Sequence, residues 1–476
     1  MVKGLTASLL TTAVTIIVLF SLPGCSKVEP AAYEDGEKWP GGKTSVTVSG
    51  KTSFSRASAN MAANRRLDFS VGDSFFKSDW VAAPQPDSFR DGLGPLFNTR
   101  SCEGCHILDG RGHAPADGEL NEAGLLIRIS VPATTQKEKE QLTRSGVIPH
   151  PVYGDQIQDF SLKGVKHEAK VRVRYEYSTI RFSDGESVQI RKPVILLEDL
   201  NYGPLPDNLM MSPRIASPMI GLGLLEAISD SQILANEDPD DRDGDGISGR
   251  GNRVWDIKNK KTVLGRFGWK AGQPNMIQQS AGAFNGDMGI TSSLFSDDNC
   301  TESQTACKAE TPEDHPDVSD SILEKVVFYN RNLAVPIRLD SKDSEVLKGK
   351  ALFGKARCSG CHIPNFTTLK VKNYPEQSEQ NIWPYTDLLL HDMGEGLADN
   401  RPEFLASGRE WRTPPLWGIG KTKMVNPKAT FLHDGRARTI MEAILWHGGE
   451  GEAAKQAVMD MNKEQRTALV RFVNSL

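Results

Sequence analysis

Apolar residues recur every three to four positions in several segments of the chain, which predicts amphipathic helices. Leu347, Ala351 and Leu352 follow this spacing until the pattern breaks at Gly354. The final segment carries a second stripe, behind a capping-box pattern that begins at Asn462. The members of that stripe are Ala468, Leu469, Phe472, Val473 and Leu476. Both segments are predicted to be helices that pack on a core.

Residues 171–196 follow a different pattern, in which polar and apolar residues alternate on both sides of Asp184-Gly185. Alternation with a period of two is typical of a half-buried strand, and Asp-Gly favours a turn between two such strands. The segment therefore predicts a β-rich insertion in a chain whose other patterns are helical.

The chain begins with an apolar stretch that follows Lys3 and ends at LPGC, whose cysteine is Cys25. This is the layout of an export signal, and its end resembles a bacterial lipobox, in which the cysteine becomes the first mature residue and carries a lipid. A plain signal peptide or a membrane-spanning anchor is the alternative. No later window is long and apolar enough to span a bilayer. We expect residues 1–25 to be a lipoprotein-type signal and residues 26–65 to be a tether.

The composition is that of a globular protein, because 38% of the residues are hydrophobic and 25% are charged. The net charge is -5, and no basic run is present. The chain therefore lacks the electrostatic footprint of a nucleic-acid-binding protein, and nucleic acid is excluded as a partner.

Four of the seven cysteines lie in two copies of the pattern C-x-x-C-H. In c-type cytochromes each thiol of this pattern bonds a haem vinyl group, and the histidine reaches the iron. A zinc ribbon would place its two halves about 15 to 20 residues apart, whereas these copies are 256 positions apart. A thioredoxin-like pair needs no histidine. The sequence predicts two covalently bound haems, one at Cys102, Cys105 and His106 and one at Cys358, Cys361 and His362.

Two further cysteines, Cys300 and Cys307, lie in the polar loop SDDNCTESQTACKAE. An oxidising compartment favours a local disulfide between them, and a pair of unlinked thiols is the alternative. With Cys25 assigned to the lipid, no cysteine is left over for thiol chemistry.

The two halves of the chain repeat the same succession of elements. Arg214, Pro218 and a Gly-x-Gly in the first half recur in register as Arg412, Pro415 and a second Gly-x-Gly. We therefore predict a mainly α fold of two cytochrome c-like haem domains, the first of which is enlarged by β-containing and loop insertions. The predicted domains are residues 66–338 and 339–476.

An acidic loop between these repeats places carboxylates at alternate positions, on Asp241, Asp243 and Asp245, ahead of Gly246. Such an arrangement can converge on one hard cation, and it resembles the first half of an EF-hand-like calcium loop. The twelfth position is Asn252 rather than a bidentate Glu, and a plain acidic turn is the alternative. A bound calcium ion would brace the fold around the haems.

The motifs, together with RTPPLWG and FLHDGR, resemble the bacterial di-haem cytochrome c peroxidase superfamily. The match is closest to its di-haem oxidoreductase branch, sometimes labelled thiol oxidoreductase. Phrases of that branch appear as RDGLGPLFNTRSCEGCH, MIGLGLLEAI, DPDDRDGDGISGR, GRFGWKA, FNGDMGITSSLF, LLLHDMGEGLAD and EWRTPPLWGIG. The resemblance implies two cytochrome c-like domains with haems near their interface. One haem would pass electrons to another, where an oxidant such as hydrogen peroxide reacts.

The C-terminal haem has a candidate second ligand in His447. A capping-box pattern from Thr439 to Glu442 predicts a helix whose apolar face directs His447 inward. In the superfamily a Met or a Tyr closes the corresponding haem from this distance beyond the His-Asp-Gly motif. The resemblance therefore implies that His362 and His447 both bind this iron.

Other residues near the same motif have predicted roles at the haems. His433 is expected to line the pocket, and Arg436 or Arg438 is expected to meet haem propionates through charge-assisted hydrogen bonds. Trp411 and Trp417 are candidates to assist electron transfer between the haems, although aromatic packing is the commoner role.

The distal side of the N-terminal haem is less well defined by the sequence. His113, Met219 and Met288 are candidate ligands. If that iron is open, Glu226 or His113 is the candidate acid or base that moves a peroxide proton.

The leading functional hypothesis is a lipid-anchored, peroxidase-like di-haem oxidoreductase on the periplasmic side of a bacterial membrane, the outer membrane being favoured. It would exchange electrons with a periplasmic donor or acceptor. The alternative is a non-catalytic electron-transfer cytochrome in which both irons are six-coordinate.

Overall fold

The computed structural model describes residues 1, 28–84, 89–122, 124–310 and 316–476. The predicted export signal and Cys25 lie outside these residues. Within the described residues, no helix is both long and apolar enough to cross a bilayer.

The described part of the chain contains thirteen α-helices, most of them short, with single turns of 3-10 helix between them. The helices are α1 (Arg66–Lys77), α2 (Cys102–Cys105), α3 (Gln136–Ser145), α4 (Leu222–Glu226), α5 (Asp230–Leu234), α6 (Met276–Met288), α7 (Thr305–Ala309), α8 (Asp320–Arg331), α9 (Ser344–Lys355), α10 (Thr422–Val425), α11 (Ile440–Leu445), α12 (Glu452–Met459) and α13 (Lys463–Ser475).

Twelve strands in the described residues form six two-stranded antiparallel sheets. The strands are β1 (Leu96–Phe97), β2 (Leu125–Ser130), β3 (Phe160–Ser161), β4 (Lys170–Arg181), β5 (Ser187–Glu198), β6 (Met210–Ile215), β7 (Arg253–Asp256), β8 (Lys261–Leu264), β9 (Phe366–Thr367), β10 (Asn381–Ile382), β11 (Leu390–Asp392) and β12 (Glu410–Arg412). The pairs are β1 with β3, β2 with β6, β4 with β5, β7 with β8, β9 with β10 and β11 with β12.

The prediction of a mainly α fold is wrong, because the protein is 29% helical and 18% strand. Much of its backbone is satisfied by two-stranded ladders and isolated bridges between distant segments, such as Arg250 with Leu390. Local periodicity does not reveal strands of two or three residues, because so few positions cannot show an alternation of polar and apolar residues. The long hairpin of β4 and β5 is the exception, and it turns at Gly185 as the alternation predicts.

Two helix pairs repeat the same packing in the two halves of the chain. Helix α1 crosses α8, and α9 crosses α13. At the first crossing a Cβ on Gly72 would lie 2.1 Å from the carbonyl oxygen of Lys325. At the second, a Cβ on Gly349 would lie 2.0 Å from that of Ala468. Glycine is therefore required at both crossings for the backbones to approach so closely.

The predicted capping box at Asn462 is present and starts α13, and Thr439 caps α11 through the backbone N–H of Glu442. Residues 26–65 were predicted to be a tether, and the described part of this segment, residues 28–65, packs against the body of the protein. Phe54 lies fully buried in the largest hydrophobic cluster. The carboxylate of Glu37 is 2.9 Å from Arg338, and both side chains are buried.

Candidate functional site

The first C-x-x-C-H motif opens onto a cavity of about 470 Å³, here called cavity 1. Cys102 and Cys105 lie at the ends of the short helix α2, and both line cavity 1 together with His106. The Nδ1 atom of His106 lies 2.7 Å from the carbonyl oxygen of Ser217. The ring of Phe76, from α1, lies 6.2 Å from that of His106. The motif is thus held between the first helix pair and the segment that follows β6.

The second motif opens onto a smaller cavity of about 180 Å³, here called cavity 2. Cys358, Cys361 and His362 line it, and His362 Nδ1 lies 2.9 Å from the carbonyl oxygen of Tyr385. The ring of Phe353, from α9, lies 6.2 Å from that of His362, which matches the distance between Phe76 and His106. The two motifs therefore have equivalent surroundings on their helix sides.

His447 lines cavity 2 from just beyond the end of α11. Its Nδ1 lies 2.8 Å from the carbonyl oxygen of Ala443, so this nitrogen carries the ring proton and Nε2 keeps its lone pair. His106 and His362 have the same arrangement. A hydrogen bond from the second ring nitrogen to a carbonyl is the usual support of a metal-binding histidine.

The protonation of these three histidines also suits metal binding. Burial lowers the pKa of His106 to about 4 and that of His362 to about 4. Burial also lowers the pKa of His447. A neutral imidazole is the form that binds a metal ion, so all three rings are in the required state at neutral pH.

His391 is a further histidine of cavity 2, and its sequence context did not identify it as a site residue. Its Nε2 lies 2.8 Å from Asp387, and its Nδ1 lies 2.6 Å from Glu450. Although burial opposes it, these carboxylates raise the pKa of His391 well above its usual value. The ring is a buried imidazolium with both nitrogens engaged, so it cannot bind iron. Residues four positions apart lie on one face only in a helix, and the segment from Asp387 to His391 is not helical. The sequence therefore did not indicate that these two residues pair.

Two residues, Trp269 and Arg412, line both cavities and so form the wall between them. His433 lies on the cavity 2 side of this wall, where its ring stacks on Trp411 at a centroid distance of 3.7 Å. The ring of Trp269 meets the same histidine edge-on at 6.4 Å. Aromatic rings therefore connect the two cavities. Trp417 lines neither cavity and packs in the largest core cluster.

The two predicted acid or base residues do not line cavity 1. The Glu226 carboxylate is bound by Arg331, with Nη2 to Oε1 at 2.9 Å, and accepts the N–H of Met276 at 2.8 Å. His113 is half-buried, and its pKa is lowered by burial and by the charge of Lys428. Glu226 therefore has a structural role in which it accepts a backbone N–H at the start of α6 and pairs with Arg331 at the end of α8.

Cavity 1 has charged residues on a different part of its wall. Glu403 lies 2.8 Å from Arg214 and 3.2 Å from Arg401. Although burial opposes it, these two arginines lower the pKa of Glu403 to about 2. Arg128, Asp155 and Asp287 also line the cavity. Glu403 comes from the predicted second domain, which is why proximity in sequence to the first motif could not reveal it.

Arg436, predicted to meet a haem propionate, is already paired in the structure. Its Nη2 lies 2.7 Å from Asp434, and its Nη1 donates to the carbonyl of Gly396. Arg438 is paired with Glu442 at 3.0 Å. Neither guanidinium lines cavity 1 or cavity 2, so the predicted propionate role does not fit their positions.

The acidic loop brings carboxylate oxygens of Asp241, Asp243 and Asp245 within 4.8 Å of one another. Asp245 also pairs with Arg357, the residue before Cys358, at 2.9 Å. Asn252 points elsewhere, because its amide donates to the carbonyl oxygen of Lys270.

The remaining cysteine pair, Cys300 and Cys307, is joined by a disulfide with a Cα separation of 5.7 Å. The four cysteines of the C-x-x-C-H motifs are not joined in disulfides, so their thiols are available for thioether bonds.

The family model described as "Di-haem oxidoreductase, putative peroxidase" matches residues 33–476. No curated protein matches the chain.

A solved structure of hydrazine synthase from Kuenenia stuttgartiensis, pressurized with xenon, is similar at 18% identity and a TM-score of 0.22. The match covers 37% of this chain and 63% of that one, so less than two thirds of the hydrazine synthase chain is spanned. A similarity of this size carries no argument about fold or activity. The family match extends over nearly the whole chain, and the protein belongs to the di-haem oxidoreductase family.

Proposed function

We propose that this protein is an exported, lipid-anchored c-type cytochrome with two haems and a peroxidase-like activity. The observation that carries the proposal is the unequal supply of histidines. Cavity 2 has His362 and His447, each with a carbonyl at Nδ1, whereas His106 is the sole histidine among the described residues that line cavity 1. The C-terminal iron would thus be closed by two histidines, and the N-terminal iron would keep an open position.

The donor set fits two covalently bound haems. Each cavity offers two free thiols and a neutral histidine. When bound, haem supplies one-electron chemistry and, at an open position, reaction with an oxidant such as hydrogen peroxide.

The residues of cavity 1 would bind and orient the oxidant. The guanidinium groups of Arg214 and Arg401 supply hydrogen-bond donors on the cavity wall beside the Glu403 carboxylate. Preorganised donors of this kind stabilise negative charge as it develops on oxygen. The Asp155 side chain is 44% exposed and lies 3.3 Å from Arg128, which gives protons a route from solvent.

The wall between the cavities would carry electrons. Trp269 contacts both cavities, and its ring together with His433 and Trp411 forms a continuous aromatic group. Burial keeps His433 neutral by lowering its pKa to about 4, so no fixed charge on this ring opposes electron movement.

A second function, a purely electron-transferring cytochrome, is favoured by one observation. Three buried methionines, Met219, Met276 and Met288, line cavity 1. A thioether is a common sixth ligand in cytochromes c, and it would close the N-terminal iron as well.

The ferric spectrum of the holoprotein separates these two functions. A high-spin component that disappears when cyanide or hydrogen peroxide is added is expected for the peroxidase-like protein. Two wholly low-spin haems under every redox condition would refute it and would favour the methionine-closed cytochrome.

Export and lipid attachment rest on the sequence around Cys25. A Cys25→Ser variant should appear in the soluble periplasmic fraction, whereas the native protein should sediment with membranes and incorporate labelled fatty acid.

The electron donor or acceptor would be a periplasmic protein. Calcium bound at Asp241, Asp243 and Asp245 would brace the second haem motif through the pair of Asp245 with Arg357.

A further inference from the structure

Arg111 lies five positions after His106, yet its side chain lines cavity 2 and not cavity 1. The peptide bond that follows Arg111 is held by two hydrogen bonds. The carbonyl of Arg111 accepts the side-chain amide of Asn426 at 2.9 Å, and the N–H of Gly112 donates to the carbonyl of Ala216 at 3.0 Å. The segment that carries the first iron ligand therefore also sends a cation into the second cavity.

The guanidinium of Arg111 has no anionic partner among the described residues. The side chain is 6% exposed, and its Nε and Nη1 atoms are buried without a hydrogen bond. Its neighbours are the rings of Trp269 at 5.6 Å and Phe431 at 5.8 Å. Burial lowers the pKa of Arg111 to about 10. A buried cation without a partner is strongly unfavourable, so this position requires an anion.

Arg412 is a second cation of the same kind in this cavity. Its hydrogen bonds go to the carbonyl oxygens of Gly268 and Thr413, and none of the described carboxylates forms an ion pair with it. Two buried cations nearby, Lys270 and Arg436, do have a carboxylate. Lys270 lies 3.0 Å from Asp399, and Arg436 is paired with Asp434. The arginines among the described residues that line cavity 2 are Arg111 and Arg412, and both lack a carboxylate partner.

We propose that Arg111 and Arg412 bind the propionate carboxylates of the C-terminal haem. The inference rests on the proposed function, in which the second motif holds a haem. Two propionates supply the negative charge that the two guanidiniums lack, and charge-assisted pairs with arginine are geometrically well defined. Arg111 is thus a positioning residue that ties the second haem to the segment of the first haem's ligand.

The positive charge of Arg111 also affects the reduction potential of the C-terminal haem. Reduction of iron adds one negative charge, and a nearby cation stabilises the product. Loss of the cation therefore lowers the midpoint potential of that haem and has a smaller effect on the N-terminal haem.

The test is spectroelectrochemical titration of the holoprotein with Arg111→Gln, Arg111→Lys and a control, Arg191→Gln. Arg191 is a buried arginine bound to the carbonyl oxygens of Gly435 and Arg436, and it lines neither cavity. R111Q should favour the ferric form of the low-spin haem at least tenfold, about 59 mV for one electron. R111K and R191Q should stay within that limit. Unchanged potentials in an R111Q protein that holds both haems would overturn the inference.

Two further measurements keep the outcome decisive. If R111Q fails to hold the second haem, resonance Raman spectra of R111K should show a shifted propionate bending band, because lysine makes a single hydrogen bond where arginine makes two. An unshifted band would count against the inference. If formate changes the potential of the native protein, a free anion occupies the position beside Arg111 instead of a propionate. That result would overturn the inference. A missing low-spin signal in the native protein would show instead that the proposed function itself is wrong.

Discussion

The two cavities share an attachment motif and differ in what faces it. Cavity 2 has a volume of about 180 Å³ and is lined by four histidines and by two arginines that lack a carboxylate partner. Cavity 1 has a volume of about 470 Å³ and contains one histidine, with ion-paired arginines around Glu403. Each motif packs against an equivalent helix pair with a glycine at its crossing, and an equivalent phenylalanine lies beside the histidine of each motif. Under the proposed function, the repeated scaffold would hold each haem, and the nonrepeated residues opposite would decide whether its iron is closed or open.

Removal of the attachment thiols gives the largest expected effect on this comparison. C102A/C105A and C358A/C361A should each bind one haem per chain instead of two, because the thioether bonds need those thiols. The haem content is measured as pyridine haemochromogen per mole of protein. The first variant should lose the response to peroxide and the second should keep a high-spin haem.

A matched control for these variants is C300S/C307S, which removes the disulfide pair and should keep both haems. Two covalently bound haems in C102A/C105A or in C358A/C361A would show that the motif cysteines do not attach them.

His447→Ala tests whether cavity 2 is closed. The variant should convert one low-spin haem completely to a high-spin form, because His362 would remain as the one iron ligand with a carbonyl at Nδ1. Electron paramagnetic resonance of the ferric protein measures the change. His433→Gln is the control, since His433 stacks on Trp411 and should leave the spin states unchanged. An unaltered spectrum in H447A would rule out the bis-histidine assignment.

Local sequence patterns were sufficient for features that depend on neighbouring residues. The attachment motifs, the capping box at Asn462 and the hairpin around Gly185 are all defined within a few positions, and the structure has the cap and the hairpin. The direction of His447 into cavity 2 also followed from a short helical pattern. Such features need no knowledge of which distant segments meet.

Features that depend on distant segments were not predictable in this way. Glu226 looked like an available acid in GLLEAI, but Arg331 lies 105 positions away in sequence and pairs with it. Arg111 gave no signal for cavity 2, because the second motif lies far along the chain. The mainly α prediction failed in part for the same reason, since β1 pairs with β3 and β2 pairs with β6 across more than 60 positions.

The stability of the protein close to the wall between the cavities is expected to depend on a buried ion pair. Lys270 and Asp399 are 3.0 Å apart and fully buried, and Lys270 lies 4.3 Å from the centre of the Trp411 ring. Lys270→Met leaves Asp399 unpaired, which costs about 3–5 kcal/mol of unfolding free energy. Chemical denaturation measures the loss, and K270M/D399L should recover most of it.

The partly exposed pair of Lys77 and Asp73, 2.8 Å apart with 32% of each side chain exposed, provides the comparison for this loss. K77M should cost at most about 1 kcal/mol, because exposed ion pairs contribute little. An equal loss of unfolding free energy in K77M and K270M would mean that burial does not increase the contribution of the pair of Lys270 with Asp399.

The smallest expected effect concerns Asp109, three positions after His106, where the second motif has Asn365 after His362. Asp109 is buried and accepts the hydroxyl of Tyr329 at 2.7 Å. Burial raises its pKa from 3.8 to about 6. The folded protein therefore keeps a proton that the unfolded chain has already released, and the resulting stability is full below pH 3.8 and is lost as the pH rises through about 6.

Asp109→Asn makes the first motif resemble the second and removes this titration. The stability of D109N relative to the native protein should increase between pH 4 and pH 7. The increase should be at most on the order of 2–3 kcal/mol in unfolding free energy, and it should appear as a rise in the relative melting temperature. Thermal unfolding followed by circular dichroism at several pH values measures it. A difference that stays constant across this range would mean that Asp109 is ionised in the folded protein, and that the first motif carries a negative charge where the second has the neutral Asn365.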